Sequence, residues 1–179
     1  MPMDVLASFI SLVIFILPSY FANSAPVIFG GGIPIDHGKK FVDGKRIFGN
    51  GKTIRGFLAG IFAGLIIASL EGIFLPGTRW DIYGGPSAYI LCGLLLSVGT
   101  MFGDLAGSFV KRRQNIAQGK PSFMMDQLSF LAFALLFAYP FASHLLTPIA
   151  VIFLGVLTYF VHIGANVIAN RLGLKKVPW

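Results

Sequence analysis

Five long apolar segments, approximately Val5 to Phe21, Thr53 to Leu75, Ser87 to Val110, Phe123 to Ser143 and Pro148 to Asn170, take up most of the chain. A bilayer core about 30 Å thick needs about 20 mostly apolar helical residues per crossing, and each segment meets that requirement. The runs are continuous and lack the short alternation of barrel strands, so they read as helices. The sequence therefore predicts an all-α integral membrane protein, a bundle of five transmembrane helices. With 55% hydrophobic and only 12% charged residues, a water-soluble fold is excluded. The loops, at about 23–52 and 111–122, are too short to form a separate soluble unit, so residues 1–179 read as a single membrane-embedded domain.

Charge sets the expected orientation. Thirteen of the 14 Lys and Arg residues fall in three stretches: Lys39, Lys40, Lys45, Arg46, Lys52 and Arg55; Lys111, Arg112, Arg113 and Lys120; and Arg171, Lys175 and Lys176. Cationic loops stay cytoplasmic, so these three stretches are expected on that side, with Arg79 and the N-terminus outside and the C-terminus inside. The first segment is preceded by Asp4 and by no Lys or Arg, unlike a cleaved signal peptide, and is expected to remain as a membrane helix. Cys92 is the single cysteine, so no internal disulfide can form.

Small residues predict helix contacts. Gly56, Gly60, Gly64, Ala68 and Gly72 form a stripe at four-residue spacing, and Gly99, Gly103 and Gly107 form another. Such stripes let helix backbones approach closely, and the simplest expectation pairs the second helix with the third through them. Glu71 is expected near the outer interface, within reach of water or Arg79. His162, Asn166 and Asn170 share one face of the fifth segment; interhelical hydrogen bonding explains them, and so does a place beside a cytoplasmic cavity. His37 and His144 have no partners at metal-ligand spacing.

Three elements converge on the cationic side. The first loop carries Asp36, Asp43, Lys45 and Arg46 and ends Gly49-Asn50-Gly51-Lys52-Thr53-Ile54-Arg55-Gly56, running directly into a helix. A Gly-rich turn with Lys52 and Thr53 at a helix start offers backbone N–H groups, a positive dipole end and a cation, all suited to phosphate. It is not a Walker A loop, because the G-x-x-x-x-G-K-S/T spacing is missing. The second element is Asp104, Ser108 and Lys111, followed by Arg112, on one face of the third helix. The third is Asp126, which a short antiparallel connection brings to a depth similar to that of Asp104. Two carboxylates ringed by cations suit magnesium bridged to a nucleotide triphosphate. Either Asp taken singly is also explained as the counter-ion of a neighbouring Lys or Arg, but that reading accounts less well for the set.

At these residues the chain resembles the CDP-archaeol synthases, archaeal membrane cytidylyltransferases related to the phosphatidate cytidylyltransferases. The resemblance spans most of the chain. It rests on Asp36 to Gly38, Asp43-Gly44-x-Arg46, Lys52-Thr53-x-Arg55-Gly56, Gly103-Asp104 with Ser108-x-x-Lys111-Arg112, and Asp126-Gln127. It implies transfer of CMP from CTP to a lipid phosphate bearing two geranylgeranyl ether chains, at a cytoplasm-facing site in the cell membrane, with Mg2+ as cofactor and no nucleic acid as partner. Under it, Asp104 and Asp126 hold metal. Lys52, Thr53 and Arg55 contact phosphates, Lys111 and Arg112 neutralise pyrophosphate or lipid phosphate, and Ser108, Asp36, Asp43, Lys45 and Arg46 complete the grip on nucleotide. The wider superfamily has D-R-x-D at the last element, where this chain reads Asp126-Gln127-Leu128-Ser129, and Asn50 stands where related loops carry a carboxylate. A small ion or solute transporter is a rival from another class, but the charges gather on one side and do not cross the bilayer. A CDP-alcohol phosphatidyltransferase is a second, and its D-G-x-x-A-R signature is missing. A non-catalytic scaffold for anionic lipid leaves paired Asp104 and Asp126 unexplained.

Overall fold

The computed structural model describes residues 5–120, 122, 125–174 and 177. The expected features at Met1, Phe123, Lys175 and Lys176 lie outside these described residues. Among the described residues there are five helices, α1 (Val5–Phe29), α2 (Ile54–Phe74), α3 (Pro86–Arg113), α4 (Met125–Ala142) and α5 (Pro148–Arg171), with one 3₁₀ turn, Ser143–Leu145, before α5. All five are long and apolar enough to cross a membrane. Among the described residues the only β pairing is two isolated bridges, Pro34 with Thr53 and Lys40 with Arg46, which fold the loop between α1 and α2.

The first helix runs farther than expected. It passes through Pro18 and Pro26 to Phe29 instead of stopping near Phe21, so the following loop begins at Gly30 and not near residue 23. Prolines are tolerated inside membrane helices because neighbours satisfy the freed backbone groups. The carbonyls left open at the C-terminal end of α1 are taken by Arg55, which donates to those of Phe29 (2.7 Å) and Gly30 (2.5 Å). At the same end of the bundle α3 is also longer than expected, continuing to Arg113.

The glycine stripes divide their work differently from the simple pairing. The α2 stripe is buried, and it faces both α1 and α3: a Cβ on Gly64 would meet the Pro18 carbonyl and Ser97, and one on Gly60 would meet the Ala22 carbonyl and Met101. The α3 stripe turns instead to α4, where Gly99 meets Phe133 and Ala134, and Gly103 meets Ser129 and Phe130. Helix α3 thus has two small faces, Gly93 and Ser97 toward α2 and Gly99, Gly103 and Gly107 toward α4, which makes it the centre of the bundle. Buried hydroxyls add a link, with Ser19 and Thr100 2.6 Å apart. Helix α5 stands apart, with only Ala150, Leu154, Thr158 and Asn166 buried along its length.

At the opposite end from the cationic loops, Glu71 does not pair with Arg79. The Arg79 guanidinium lies 4.2 Å over the Trp80 ring, while Glu71 lies among Tyr83, Tyr89 and Cys92. Asp81 organises this connection, accepting from the backbone of Gly77, Tyr83 and Gly84.

Candidate active site

Helices α1, α3 and α5 end, and α2 and α4 begin, at one end of the bundle. There they enclose an open cavity of about 690 Å³, within the ~300–1,000 Å³ of typical small-molecule sites. Lys52, Asp104, Ser108, Lys111, Arg112 and Asp126 all line it, from the α2 entry, α3 and α4. The spacing of Asp104, Ser108 and Lys111 on one helical face is what aims all three inward.

Both carboxylates are paired. Lys52 Nζ lies 2.6 Å from each oxygen of Asp104. Lys111 Nζ lies 2.8 and 3.1 Å from those of Asp126, and it also donates to the Lys120 carbonyl at 2.8 Å. Asp126 accepts in addition from the Ser122 backbone N–H at 2.9 Å. Their depths differ: Gly103 packs on Ser129 and Phe130, so Asp104 sits about one turn, ~5 Å, deeper than Asp126. Both nonetheless face one cavity. Four cations, Lys52, Lys111, Arg112 and Lys120, line it against these two carboxylates. The Nε of Arg112 is buried with no hydrogen-bond partner among the described residues, which leaves it free to take an anionic oxygen.

The loop residues expected to grip nucleotide act one step back. Asp36 has a fully buried carboxylate that accepts from Arg46 (2.6 and 3.2 Å) and from the backbone of Gly38, Phe48 and Gly49. Burial works against its charged form, but the Arg46 pair and the backbone donors outweigh burial and hold the carboxyl well below the usual range. Asp36 and Arg46 are therefore the internal fastening of the loop, not cavity residues. Asp43 pairs with Arg113 at 2.8 Å and Lys45 donates to the Arg113 carbonyl at 2.7 Å, tying the loop to the end of α3. Thr53 is spent as the N-cap of α2, accepting from Gly56 N–H at 3.1 Å, and borders only a crevice of about 10 Å³, room for no more than about one water. Arg55 caps α1, outside the cavity.

Sequence reasoning missed other lining residues. Asn23 and Ser24 enter because α1 continues past Phe21, and Tyr20 joins them from the same helix; the Tyr20 and Thr158 hydroxyls are 2.9 Å apart across the cavity wall. Gln118 comes from the second loop and accepts from the Asn50 N–H at 3.1 Å, closing one loop on the other. His162 and Asn166 do border the cavity and lie 3.1 Å apart; a polar pair on an otherwise apolar helix was the available signal. The remaining wall is apolar, with Val27 and Ile28 of α1 facing Val161, Ala165, Ile168 and Leu172 on and just after α5.

For a divalent cation, the donor set is two carboxylates and the Ser108 hydroxyl around one cavity, hard oxygen donors of the kind magnesium takes when phosphate completes its shell. No group of three or more His, Cys, Asp or Glu that could hold a metal alone exists among the described residues. The residues thus fit a cation that arrives with a phosphate ligand better than one bound by protein alone.

The family model for CarS-like proteins, CDP-archaeol synthase, matches residues 3–179. The chain belongs to this family. It is 48% identical to the CDP-archaeol synthase of Methanococcus aeolicus, covering 99% of this chain and all of that protein. It is 50% identical to that of Pyrococcus horikoshii, over 92% of this chain and 94% of the relative. A solved structure described as an intramembrane enzyme for archaeal membrane lipids biosynthesis superposes with a TM-score of 0.73 at 34% identity, covering 86% of this chain and 91% of that one. The resemblance seen in the motifs is borne out, and family membership favours it over the transporter and phosphatidyltransferase readings.

Proposed function

We propose that this protein transfers CMP from CTP to 2,3-bis-O-(geranylgeranyl)-sn-glycerol 1-phosphate, giving CDP-archaeol and pyrophosphate. One observation carries the assignment: a single cavity joins a cationic, carboxylate-bearing end to an apolar wall formed by α1 and α5. That is the meeting place needed by a water-soluble triphosphate and a lipid whose head group lies at the interface. The cationic end faces the cytoplasm, following the asymmetry of Lys and Arg, and the lipid chains pass between α1 and α5, where Ile28, Ile168 and Leu172 are exposed.

A phosphate monoester is already an anionic oxygen nucleophile near neutral pH, so positioning and charge neutralisation carry the reaction. The lipid phosphate oxygen forms a bond to the α-phosphorus of CTP as the bond from that phosphorus to the bridging oxygen of the β-phosphate breaks, and pyrophosphate leaves with that oxygen. Lys52, Lys111 and Arg112 hold the phosphates against their mutual repulsion, Arg112 by a forked donor set and the lysines as point charges. Asp104 and Asp126, with Ser108, are the residues that would hold Mg2+; when bound, the ion would supply further neutralisation of the triphosphate. Asp36, Asp43, Lys45 and Arg46 act as positioning residues that fix the loop from which Lys52 projects.

The test is to incubate purified protein with magnesium, each labelled nucleotide in turn, and either an isoprenoid ether or an acyl ester lipid phosphate. Formation of a CDP-lipid with matching pyrophosphate, greatest with CTP and the ether lipid, supports the assignment; solute flux independent of CTP contradicts it.

A further inference from the structure

We propose that Lys52 is an exchange residue: its ammonium occupies the Asp104 carboxylate against a divalent cation alone and yields it when a nucleotide triphosphate supplies phosphate oxygens in return. The inference rests on the reading of Asp104 as a cation ligand and goes beyond it, because it assigns a binding order.

The two ion pairs of the cavity are built differently. Lys111 spends its donors on both oxygens of Asp126 and on the Lys120 carbonyl, and its side chain is only 11% exposed. Asp126 is further held by the Ser122 N–H. Moving Lys111 therefore breaks a carbonyl contact as well and loosens the connection between α3 and α4. Lys52 instead makes both its contacts to one carboxylate, at 2.6 Å each, and each partner is 27% exposed toward the cavity. A centred ammonium equidistant from both oxygens stands where a cation would be coordinated, so the two compete for the same lone pairs.

Lys52 is also placed to move without disturbing the fold. Its carbonyl accepts from the Ile35 N–H at 2.8 Å and its N–H donates to the Gly49 carbonyl at 3.3 Å, while the next residue caps α2. The backbone is fixed, and a flexible four-carbon stem carries the charge. Phosphate entering beside Arg112 gives the ammonium a new anionic partner within the same cavity, and Asp104 is released to the cation. Cation and nucleotide consequently bind with positive coupling, and by linkage each tightens the other equally.

The experiment measures free Mn2+ by electron paramagnetic resonance with the detergent-purified full chain. It is done with Mn2+ alone and with a CTP analogue carrying a methylene bridge between the α and β phosphates, after subtracting Mn2+ bound by analogue without protein. Wild type is expected to bind Mn2+ weakly alone and more tightly with the analogue. In Lys52→Met the competitor is gone, so Mn2+ alone should bind more tightly by up to about five-fold, the range for losing one partly exposed ion pair, and the coupling should shrink. In Lys52→Arg the forked guanidinium grips the carboxylate harder, so Mn2+ alone should bind more weakly than in wild type. Should Lys52→Met fail to fold, the direction of the Lys52→Arg change decides. Variants that leave Mn2+ affinity unchanged, or shift it the same way, overturn the exchange while normal analogue-dependent Mn2+ uptake leaves the cation site standing. No uptake by wild type even with the analogue overturns both.

Discussion

Asp104 and Asp126 reach one cavity from neighbouring helices, with Asp104 about one helical turn (~5 Å) deeper. The stagger follows from the close packing of the α3 glycines on the first turns of α4, and it presents the carboxylates as two steps down one wall. A ligand that spans several phosphates matches such steps better than a compact ion does. Asp126→Asn is accordingly expected to lower CDP-lipid turnover by about 100-fold or more, the usual cost of one electrostatic group aimed at a reacting phosphate or oxyanion. Turnover assays on protein that still elutes as a single species check this; near-normal rates would remove Asp126 from the site.

Gly103 is a steric requirement. A Cβ there would lie 2.6 Å from the Phe130 Cα and closer still to the Ser129 carbonyl, both backbone atoms that cannot step aside. Gly103→Ala should therefore lower stability by about 1–3 kcal/mol, the range for overpacking, whereas Gly164→Ala, which meets nothing within 4 Å, should be tolerated. Thermal unfolding in one detergent compares the two.

Asp36 gives the first loop an acid-sensitive fastening. Its carboxyl is held below the ordinary value of about 4 in the folded loop, so its contribution is fully present above that value and is lost as pH falls through it toward the lowered folded value. Protease resistance of the loop between α1 and α2 should be level from pH 5 to 8 and fall in stronger acid. Asp36→Asn should expose the loop at neutral pH, at a cost of about 1–3 kcal/mol for the displaced buried bonds, and should remove most of the acid response.

The wall between α1 and α5 predicts separable kinetics. Leu172→Trp or Ala165→Trp narrows the apolar side of the cavity without touching Lys52, Asp104 or Lys111. The KM for lipid phosphate should rise by about five-fold or more while the KM for CTP stays within about two-fold, since one bulky change in an apolar contact carries about 1–3 kcal/mol. Equal rises in both would place the lipid elsewhere.

The five crossings were legible because length and continuous apolarity decide them. The end of α1 was not: Asn23, Ser24 and Pro26 read as a loop in water, but here Arg55 satisfies the terminal carbonyls and Ala22 and Ala25 are buried in the bundle. Asp104, Ser108 and Lys111 could be found because a helical period of 3.6 fixes which residues share a face, and Asp126 because a short antiparallel connection returns the chain to the same end. The first loop resisted the same treatment. Asp36 meeting Arg46, and Asp43 meeting Arg113, are tertiary pairings, and nothing in the spacing separates a cation that faces ligand from one that fastens a turn.

The most direct measurement follows the α-phosphorus of CTP. With α-labelled CTP, magnesium and the geranylgeranyl ether lipid phosphate, the purified protein should carry the label into the lipid phase, with one pyrophosphate for each labelled lipid, and Asp104→Asn should abolish this while the folded protein remains. Label released to water as CMP, or equal labelling of lipid by Asp104→Asn, would contradict the account.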